Sequence, residues 1–281
     1  GFSGLWSAYH LKQLQPSLKI AIFEKKYVGY GASGRNGGWA SAEYPTSNAR
    51  IIKEHGIQTF NNLRKSLIES IDEIGQIAKS NNWQIEFAKG GALVFATNKA
   101  QLSRISSNLD DEHRFLNQSQ ASELLNVAKI QGGVYTPHCA ALNPFNLTQY
   151  LAKYLEDIGV EIFEDSKVEE ISDKALLVNG HRIGCQISIR ATEAFTARKW
   201  IANQQIPIYS LMIATERLPS EILTQIRNSQ RATFQEACNL ITYAQITGDN
   251  RLAIGGRGSR YKLFSHLSER SETDVRMHSA L

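Results

Sequence analysis

The sequence predicts a mixed α/β fold in which two kinds of segment alternate along the 281 residues. The first kind opens the chain, where a helical pattern that ends before Pro16 is followed by an apolar strand over 19–24, as in a βαβ unit. The second kind is rich in strands, such as 240–247 and 252–256, which flank a turn at 248–250. We therefore expect a nucleotide-binding α/β architecture interleaved with an antiparallel sheet.

Each element is predicted from its own pattern. Apolar residues at helical spacing indicate the helices; Pro144 suits a first helical turn, where its missing N–H costs nothing, and Gly56 is expected to interrupt the longest helix. Asn179-Gly180 predicts a hairpin between two short strands. The predicted helices cover 3–14, 46–81, 99–115, 119–127 and 144–158, and the predicted strands cover 19–24, 91–96, 160–163, 167–171, 176–178, 181–183, 186–192, 208–215, 240–247 and 252–256.

The alternation of these patterns predicts two interleaved domains. The first, nucleotide-binding domain is expected to comprise 1–81 and 138–204. The second, which would bind the substrate, is expected to comprise 82–137 and 205–267, followed by a polar tail over 268–281. One large mixed domain with insertions would produce the same pattern and stays open as an alternative.

Composition excludes several classes of protein. Hydrophobic residues make up 42% and charged residues 21%, which is typical of a globular chain, and the net charge of +4 is scattered without a basic stripe for nucleic acid. Cys139, Cys185 and Cys238 lie far apart, with neither a C-x-x-C motif nor clustered histidines, so we expect no metal site and a reducing, cytoplasmic setting. No apolar run reaches the length of a transmembrane helix.

The first residues resemble half of a dinucleotide-binding motif. Gly1-Phe2-Ser3-Gly4 matches the second half of G-x-G-x-x-G, and Glu24 ends the next strand 20 residues after Gly4. The helix N-terminus suits a pyrophosphate, and the carboxylate suits ribose hydroxyls, which favours NAD or FAD over NADP. Glu24 as an ordinary surface carboxylate is the alternative. Since the first glycine and its strand are missing, we expect an N-terminally truncated chain.

A glycine-rich loop at 29–38 distinguishes between nucleotides. A simple NAD domain does not need such a loop, whereas a flavin requires a long backbone segment to approach its pyrophosphate and ring edge closely. Ser33, Arg35 and Asn36 add hydrogen-bond donors for phosphate or flavin oxygens. The pattern favours FAD, and a flexible Gly/Ser loop is the alternative.

The same loop carries a family resemblance. Residues 29–38 resemble the G-x-GASGRNGG block of the FAD-dependent D-amino acid oxidase/glycine oxidase superfamily, in the branch of gamma-glutamylputrescine oxidoreductase-like enzymes. The resemblance implies a Rossmann-like FAD-binding domain interleaved with an antiparallel-sheet substrate domain, and a C-terminal strand–helix segment that this chain lacks. Weaker matches follow in order at 133–137, 141–144, 157–160, 166–168, 190–193, 209–216 and 251–258.

The resemblance implies a set of FAD-binding residues. Some relatives attach flavin through a histidine where Arg35 and Asn36 stand here, so we expect non-covalent FAD. The backbone of Val168 is expected near the adenine. The predicted cofactor-binding residues are Gly1, Phe2, Ser3, Gly4, Glu24, Lys25, Gly31, Ala32, Ser33, Gly34, Arg35, Asn36, Gly37, Gly38, Val168, Ala191 and Thr192.

The resemblance also implies the reaction. A hydride equivalent passes from the C–H bond beside the nitrogen of an amine or amino acid to the flavin, the imine hydrolyses, and oxygen or a carrier takes the electrons. No protein base is required, and catalytic residues stay unassigned. Substrate-pocket candidates are Tyr209, Tyr243, Arg257 and Tyr261, with sheet-core tyrosines and a solvated arginine as the alternative. A non-catalytic fragment and an NAD-linked dehydrogenase are the competing functions.

Overall fold

The computed structural model describes residues 1–107, 109–198, 210–239 and 241–257. These residues belong to two compact units whose segments interleave along the chain. Unit 1 contains 1–36 and 144–198, and unit 2 contains 37–143 and 210–257, apart from residues 108 and 240. The first division therefore follows Asn36, whereas the predicted first domain extends to residue 81. The difference arises because β2 (Trp39–Ser41), which precedes the long helices, pairs with β6 (Cys139–Ala141) inside unit 2.

Helices and strands alternate through the described residues. The helices are α1 (Phe2–Leu14), α2 (Asn48–His55), α3 (Ile57–Ser80), α4 (Lys99–Ser106), α5 (Gln118–Leu124), α6 (Pro144–Asp157) and α7 (Ser220–Ile226). The strands are β1 (Ile20–Phe23), β2, β3 (Ala92–Ala96), β4 (Arg114–Asn117), β5 (Gly132–Thr136), β6, β7 (Val160–Phe163), β8 (Val168–Ser172), β9 (Ala175–Val178), β10 (His181–Gly184), β11 (Ser210–Ala214), β12 (Thr233–Glu236), β13 (Thr242–Ile246) and β14 (Leu252–Arg257).

Most predicted elements with strong local signals are confirmed. Gly56 separates α2 from α3 with a φ of +83°, a left-handed conformation that glycine adopts without strain. Pro144 begins α6 as expected. Asn179 and Gly180 have φ values of +47° and +80°, as a two-residue hairpin turn between β9 and β10 requires.

Two predictions were wrong. Residues 186–192 form no strand; an irregular segment runs from there into a 3-10 helix at Glu193–Arg198. Ile187 and Ile189 are 82% and 59% exposed, and within the described ranges no strand pairs with this segment, so its alternating pattern has no sheet to join. The helix predicted over 99–115 ends at Ser106, because Arg114–Asn117 instead pairs with β5 as an edge strand.

Unit 1 packs helices beside small sheets. β1 and β7 are parallel, with Ile22 opposite Ile162. α1 buries Leu5 and Ala8, and α6 buries Leu151 together with other apolar residues of its inward face. β8, β9 and β10 form a separate antiparallel sheet. The Lys12 ammonium group donates to the carbonyl of Pro16 at 2.6 Å, which fixes the chain as it leaves α1.

Unit 2 contains a seven-stranded sheet in the order β11-β14-β13-β12-β3-β5-β4. Only the β12–β3 pair is parallel within this sheet, with Phe234 opposite Leu93. One buried cluster contains Leu93, Leu116 and Leu125, so apolar residues from β3, β4 and the end of α5 form a continuous core. The short β2–β6 pair is a second sheet of this unit.

A charged cluster in unit 2 is centred on His113. Its Nδ1 lies 2.6 Å from an Asp110 carboxylate oxygen, and its Nε2 lies 3.1 Å from a Glu43 carboxylate oxygen. Arg64 binds the Asp110 carboxylate through two nitrogens at 2.6 and 3.2 Å, and one of these lies 3.3 Å from the imidazole. A neutral imidazole has only one N–H, so two facing carboxylates favour the doubly protonated ring.

The charges in this cluster shift one another's pKa. The hydrogen bond with Glu43 raises the pKa of His113 above 6.5; burial opposes this and Asp110 reinforces it. Burial would raise the pKa of Asp110, but hydrogen bonds from Arg64 and His113 outweigh it and hold that pKa at about 2. The imidazolium therefore links a loop after α4 to the segment that follows β2.

We predict that this cluster stabilises the protein less as the solution becomes alkaline. Because the pKa of His113 is raised on folding, its contribution is complete below 6.5 and is lost as the pH rises through the folded-state value. Urea unfolding followed from about pH 6 to about pH 9 should show a larger loss of stability for the wild type than for His113→Gln. The exposed His55 supplies the control variant His55→Gln, and parallel pH profiles for wild type and His113→Gln would contradict the prediction.

Candidate functional site

The first turn of α1 lies against the glycine-rich loop within unit 1. The backbone N–H of Phe2 donates to the Ser33 hydroxyl at 3.0 Å. A Cβ placed on Gly1 would lie 2.7 Å from that same oxygen, and a Cβ on Gly4 would lie 3.5 Å from the Cβ of Ala191. Three segments predicted separately to bind the cofactor therefore meet at one helix N-terminus.

Glu24 follows β1, where the chain turns. Its backbone N–H donates to the Phe163 carbonyl at 2.9 Å, which extends the β1–β7 pairing by one residue. One carboxylate oxygen accepts the N–H of Lys26 at 3.0 Å, and the side chain is half-buried. Since a carboxylate has further acceptor positions, it can still accept hydrogen bonds from ribose hydroxyls.

The loop from Gly29 to Asn36 depends on close backbone contacts. Gly29 is buried with a φ of +84°, and a Cβ there would lie 2.5 Å from the Thr148 hydroxyl on α6. A Cβ on Gly34 would overlap the carbonyl oxygen of Gly29. Gly31 differs, because no described heavy atom lies within 4 Å of its Cβ position. The loop thus folds back on itself at Gly34 and leaves open space at Gly31.

Polar side chains of the loop also hold its own backbone. The Asn36 amide donates to the carbonyls of Ala32 and Ser33 at 3.1 and 2.8 Å. The Arg35 guanidinium lies over the Tyr30 ring, 4.9 Å from its centre, and the side chain is exposed. Asn36 therefore shapes the loop, and Arg35 places a positive charge on its exposed side.

Gly37 and Gly38 pack against strand β13 within unit 2. A Cβ on Gly37 would lie 2.5 Å from a ring carbon of Tyr243. Gly38 has a φ of +65°, and a Cβ there would overlap the Gln245 amide and the Leu142 carbonyl. Both glycines are buried, so their small size is required by protein packing at this end of the loop.

Tyr243, a predicted substrate-pocket residue, is half-buried between two glycines. A Cβ on Gly255 of the neighbouring strand would also lie 2.5 Å from its ring. The Trp39 ring meets it edge-on at 5.7 Å, and the hydroxyl lies 2.9 Å from the Ser210 hydroxyl. The ring therefore fills a gap in the sheet, and its role toward a substrate stays a prediction.

The other predicted site residues are more scattered. Lys25 and Thr192 are exposed, and the Thr192 hydroxyl lies 2.6 Å from that of Thr196. Val168 is half-buried and begins β8. Arg257 ends β14, but its side chain, like all of Tyr209 and Tyr261, lies outside the described residues.

His138 and Cys139 have structural surroundings. The His138 Nε2 lies 2.6 Å from a Glu112 carboxylate oxygen. Burial raises the pKa of the Cys139 thiol to about 11, so the sulfur is a neutral thiol that contacts the Thr233 hydroxyl at 3.3 Å. Within the described residues, no group of three His, Cys, Asp or Glu side chains could hold a metal ion.

Sequence reasoning missed Gln245 and Trp39, two residues of unit 2 near Gly37 and Gly38. Gln245 is 3% exposed, and its amide donates to the carbonyl of Gly37 at 2.6 Å. Trp39 has a buried indole N–H without a partner among the described residues. Neither residue belongs to a motif, and only the contacts of Gly37 and Gly38 with β13 reveal them.

The residues of unit 1 fit a dinucleotide. The first N–H groups of a helix have no intrahelical partners, and here that of Phe2 donates to the Ser33 hydroxyl of the loop. Glu24 supplies acceptors for sugar hydroxyls, and Arg35 supplies positive charge. This donor and acceptor set suits the phosphates and ribose of FAD.

Comparison with known families identifies the class. The chain belongs to the FAD dependent oxidoreductase family (DAO), whose model matches residues 1–279. This confirms the family predicted from the loop at 29–38.

Two curated relatives share 27% identity with the chain. A probable oxidoreductase, OrdL, of Haemophilus influenzae aligns with 93% of this chain and 64% of its own length. Gamma-glutamylputrescine oxidoreductase of Escherichia coli aligns with 91% of this chain and 62% of its own length. The chain thus spans less than two thirds of the length of these relatives.

Solved structures confirm the mixed α/β fold. Glycine oxidase from Geobacillus kaustophilus superimposes with a TM-score of 0.66 at 19% identity, covering 99% of this chain and 75% of that one. L-proline dehydrogenase from P. horikoshii gives a TM-score of 0.69 at 16% identity, covering 100% and 73%. At these identities the likeness concerns the fold alone. No described helix is both long and apolar enough to cross a membrane.

We predict that alanine destabilises the protein at one glycine of the loop and has little effect at another. Gly34→Ala should lower the thermal unfolding midpoint, because its Cβ meets the Gly29 backbone and such overpacking costs about 1–3 kcal/mol. Gly31→Ala is the matched control and should change stability by at most about 0.5 kcal/mol, since its Cβ enters open space. Equal midpoints for the two variants would contradict this loop geometry.

Proposed function

We propose that this chain binds FAD non-covalently and that the protein oxidises the C–N bond of an amine or amino acid. The observation that carries the proposal is the meeting of the α1 N-terminus, Ser33 and Ala191 beside a loop that folds tightly at Gly34. Family membership supports the cofactor. The names of the relatives, gamma-glutamylputrescine oxidoreductase and glycine oxidase, support the substrate class.

The chain's own residues would bind and orient the cofactor. The N–H groups in the first turn of α1 would face the pyrophosphate, and Glu24 would accept from the ribose hydroxyls. Arg35 and Asn36 stand in the loop, and neither side chain can form a flavin bond of the histidyl type, so retention depends on non-covalent contacts.

FAD when bound would supply the redox chemistry, accepting a hydride equivalent, that is two electrons and a proton, from the C–H bond beside the nitrogen. The protein would position the substrate amine in its neutral form, and the resulting imine would be hydrolysed by water. Oxygen or an electron carrier would then take up the two electrons. Of the substrate-side candidates Tyr209, Tyr243, Arg257 and Tyr261, Tyr243 is the one whose side chain is described. Cys139, Cys185 and Cys238 are free thiols, which supports a reducing, cytoplasmic setting.

The cofactor and the reaction can be tested in sequence. Purified protein is titrated with FAD, and the bound fraction is measured by flavin absorption after gel filtration. The expected result is near-equimolar flavin that acid precipitation releases, because no covalent bond holds it. The loaded protein is then mixed without oxygen with amines and amino acids; bleaching of the flavin absorption identifies a substrate. Flavin that stays with the precipitated protein contradicts non-covalent binding, and an unbleached flavin across the whole set contradicts the proposed reaction.

We predict that Glu24→Ala weakens FAD binding by about tenfold or more, because hydrogen bonds to a charged group contribute about 1.5–3 kcal/mol. Glu161→Ala is the control, since Glu161 is exposed on the adjacent strand β7. The dissociation constant for FAD is measured by quenching of flavin fluorescence. Equal affinities of the wild type and Glu24→Ala would exclude Glu24 from the ribose site.

A further inference from the structure

Gln245 connects β13 to two other segments of unit 2. Its side-chain Nε2 donates to the carbonyl of Gly37 at 2.6 Å and to the carbonyl of Leu142 at 3.3 Å. Gly37 lies just before β2, and Leu142 lies just after β6. The same side chain thus binds both strands of the β2–β6 pair at one end, where Trp39 lies opposite Ala141, and it is 97% buried, since its exposed fraction is 3%.

The bond to Gly37 fixes the orientation of one peptide. The described chain contains no cis peptide, so the N–H of Gly38 points away from the carbonyl of Gly37, to the side opposite Gln245. The carbonyl of Gly38 accepts the Leu142 N–H at 2.9 Å, which fixes the following peptide as well. Since Gly38 has a φ of +65°, this backbone conformation is available to glycine at little cost.

The glutamine has a cost that an apolar side chain would avoid. Its Oε1 is buried and has no hydrogen-bond partner within the described part of the chain. An unpaired buried acceptor destabilises a protein by about 1–3 kcal/mol, and an apolar side chain here would instead deprive the carbonyls of Gly37 and Leu142 of this donor. The side chain at this position is therefore tied to these two carbonyls, and its donor bonds fix their direction.

We infer that Gln245 is a positioning residue for the FAD-binding loop, because its amide sets the direction of the Gly37–Gly38 peptide. This inference rests on the proposed function, since it assumes that the loop at 29–38 binds FAD. Gln245 itself is covered by protein and acts through the peptide that it holds. Loss of its N–H groups should let the peptide rotate and should weaken FAD binding without unfolding the protein.

Two substitutions at this position separate positioning from packing. Gln245→Met keeps the length and flexibility of the side chain but removes both donor bonds. Gln245→Glu keeps the shape, and a buried carboxyl with a raised pKa donates one hydrogen bond only while it is protonated. Gln101→Met is the matched control, because Gln101 is also buried, at 8% exposure, and its amide donates to Glu236 on another side of unit 2.

The experiment measures FAD dissociation constants, the absorption spectrum of bound flavin and the unfolding midpoint of the FAD-free protein. For Gln245→Met we expect about tenfold weaker FAD binding and an altered spectrum, with a midpoint no lower than that of Gln101→Met. For Gln245→Glu we expect affinity near that of the wild type at low pH, falling as the pH rises through the pKa of the introduced carboxyl. Gln101→Met should bind FAD as the wild type does.

The outcomes distinguish the proposed FAD binding from the positioning role of Gln245. If the wild type binds no FAD, the proposed function fails and the inference fails with it. If the wild type binds FAD and Gln245→Met binds it equally well with the same spectrum, the positioning role alone is overturned. A third outcome is that Gln245→Met and Gln101→Met lose FAD affinity equally, in proportion to their loss of stability, and that Gln245→Glu shows no pH dependence beyond that of the wild type. In that case Gln245 is a packing residue, and the inference is also overturned.

Discussion

The path of the chain from Gly29 to Gly38 depends on the absence of a Cβ atom at positions where other atoms already occupy the space. Gly34 lies against the carbonyl of Gly29, Gly37 lies against the Tyr243 ring, and Gly38 lies against the Gln245 amide. At each of these three positions a Cβ atom would overlap an atom that is already there, so glycine is required for this path of the backbone. The site in unit 1 follows from this constraint, because the fold at Gly34 is what lets Ser33 meet the N-terminus of α1.

The glycines of this loop serve different physical purposes. Gly29 allows a positive φ beside α6, and Gly34 permits a backbone contact, whereas Gly37 and Gly38 accommodate the side chains of β13. Among the glycines of this loop, only Gly31 adjoins space that is free of described atoms, which makes it the position where close approach of a ligand would need a missing side chain. A single motif therefore combines folding requirements with those of cofactor binding.

The sequence predicted features that depend on near neighbours and missed those that depend on distant ones. The hairpin at Asn179-Gly180 and the break at Gly56 follow from backbone preferences, so they were predictable. The parallel β12–β3 pair joins residues about 140 positions apart, as in Thr233 opposite Ala92, and no local pattern specifies it. Alternation over 186–192 was misleading, since a strand requires a partner as well as a pattern. At the site, the motif indicated which residues line the loop but not that Gln245 holds it.

Unpaired polar atoms occur beside the same glycines. The indole N–H of Trp39 and the Oε1 of Gln245 are both buried without partners among the described residues, and each residue borders the Gly37–Tyr243 contact or the peptide next to it. Buried polar groups are nearly always paired, so such atoms require an explanation. Proteins tolerate unfavourable local interactions where function constrains the choice of residue. Five such side-chain atoms occur among the described residues, the others being His138 Nδ1, Asn228 Oδ1 and Arg231 Nη2, and two of the five lie next to one peptide of the loop. A residue choice made for the direction of that peptide would produce this pairing.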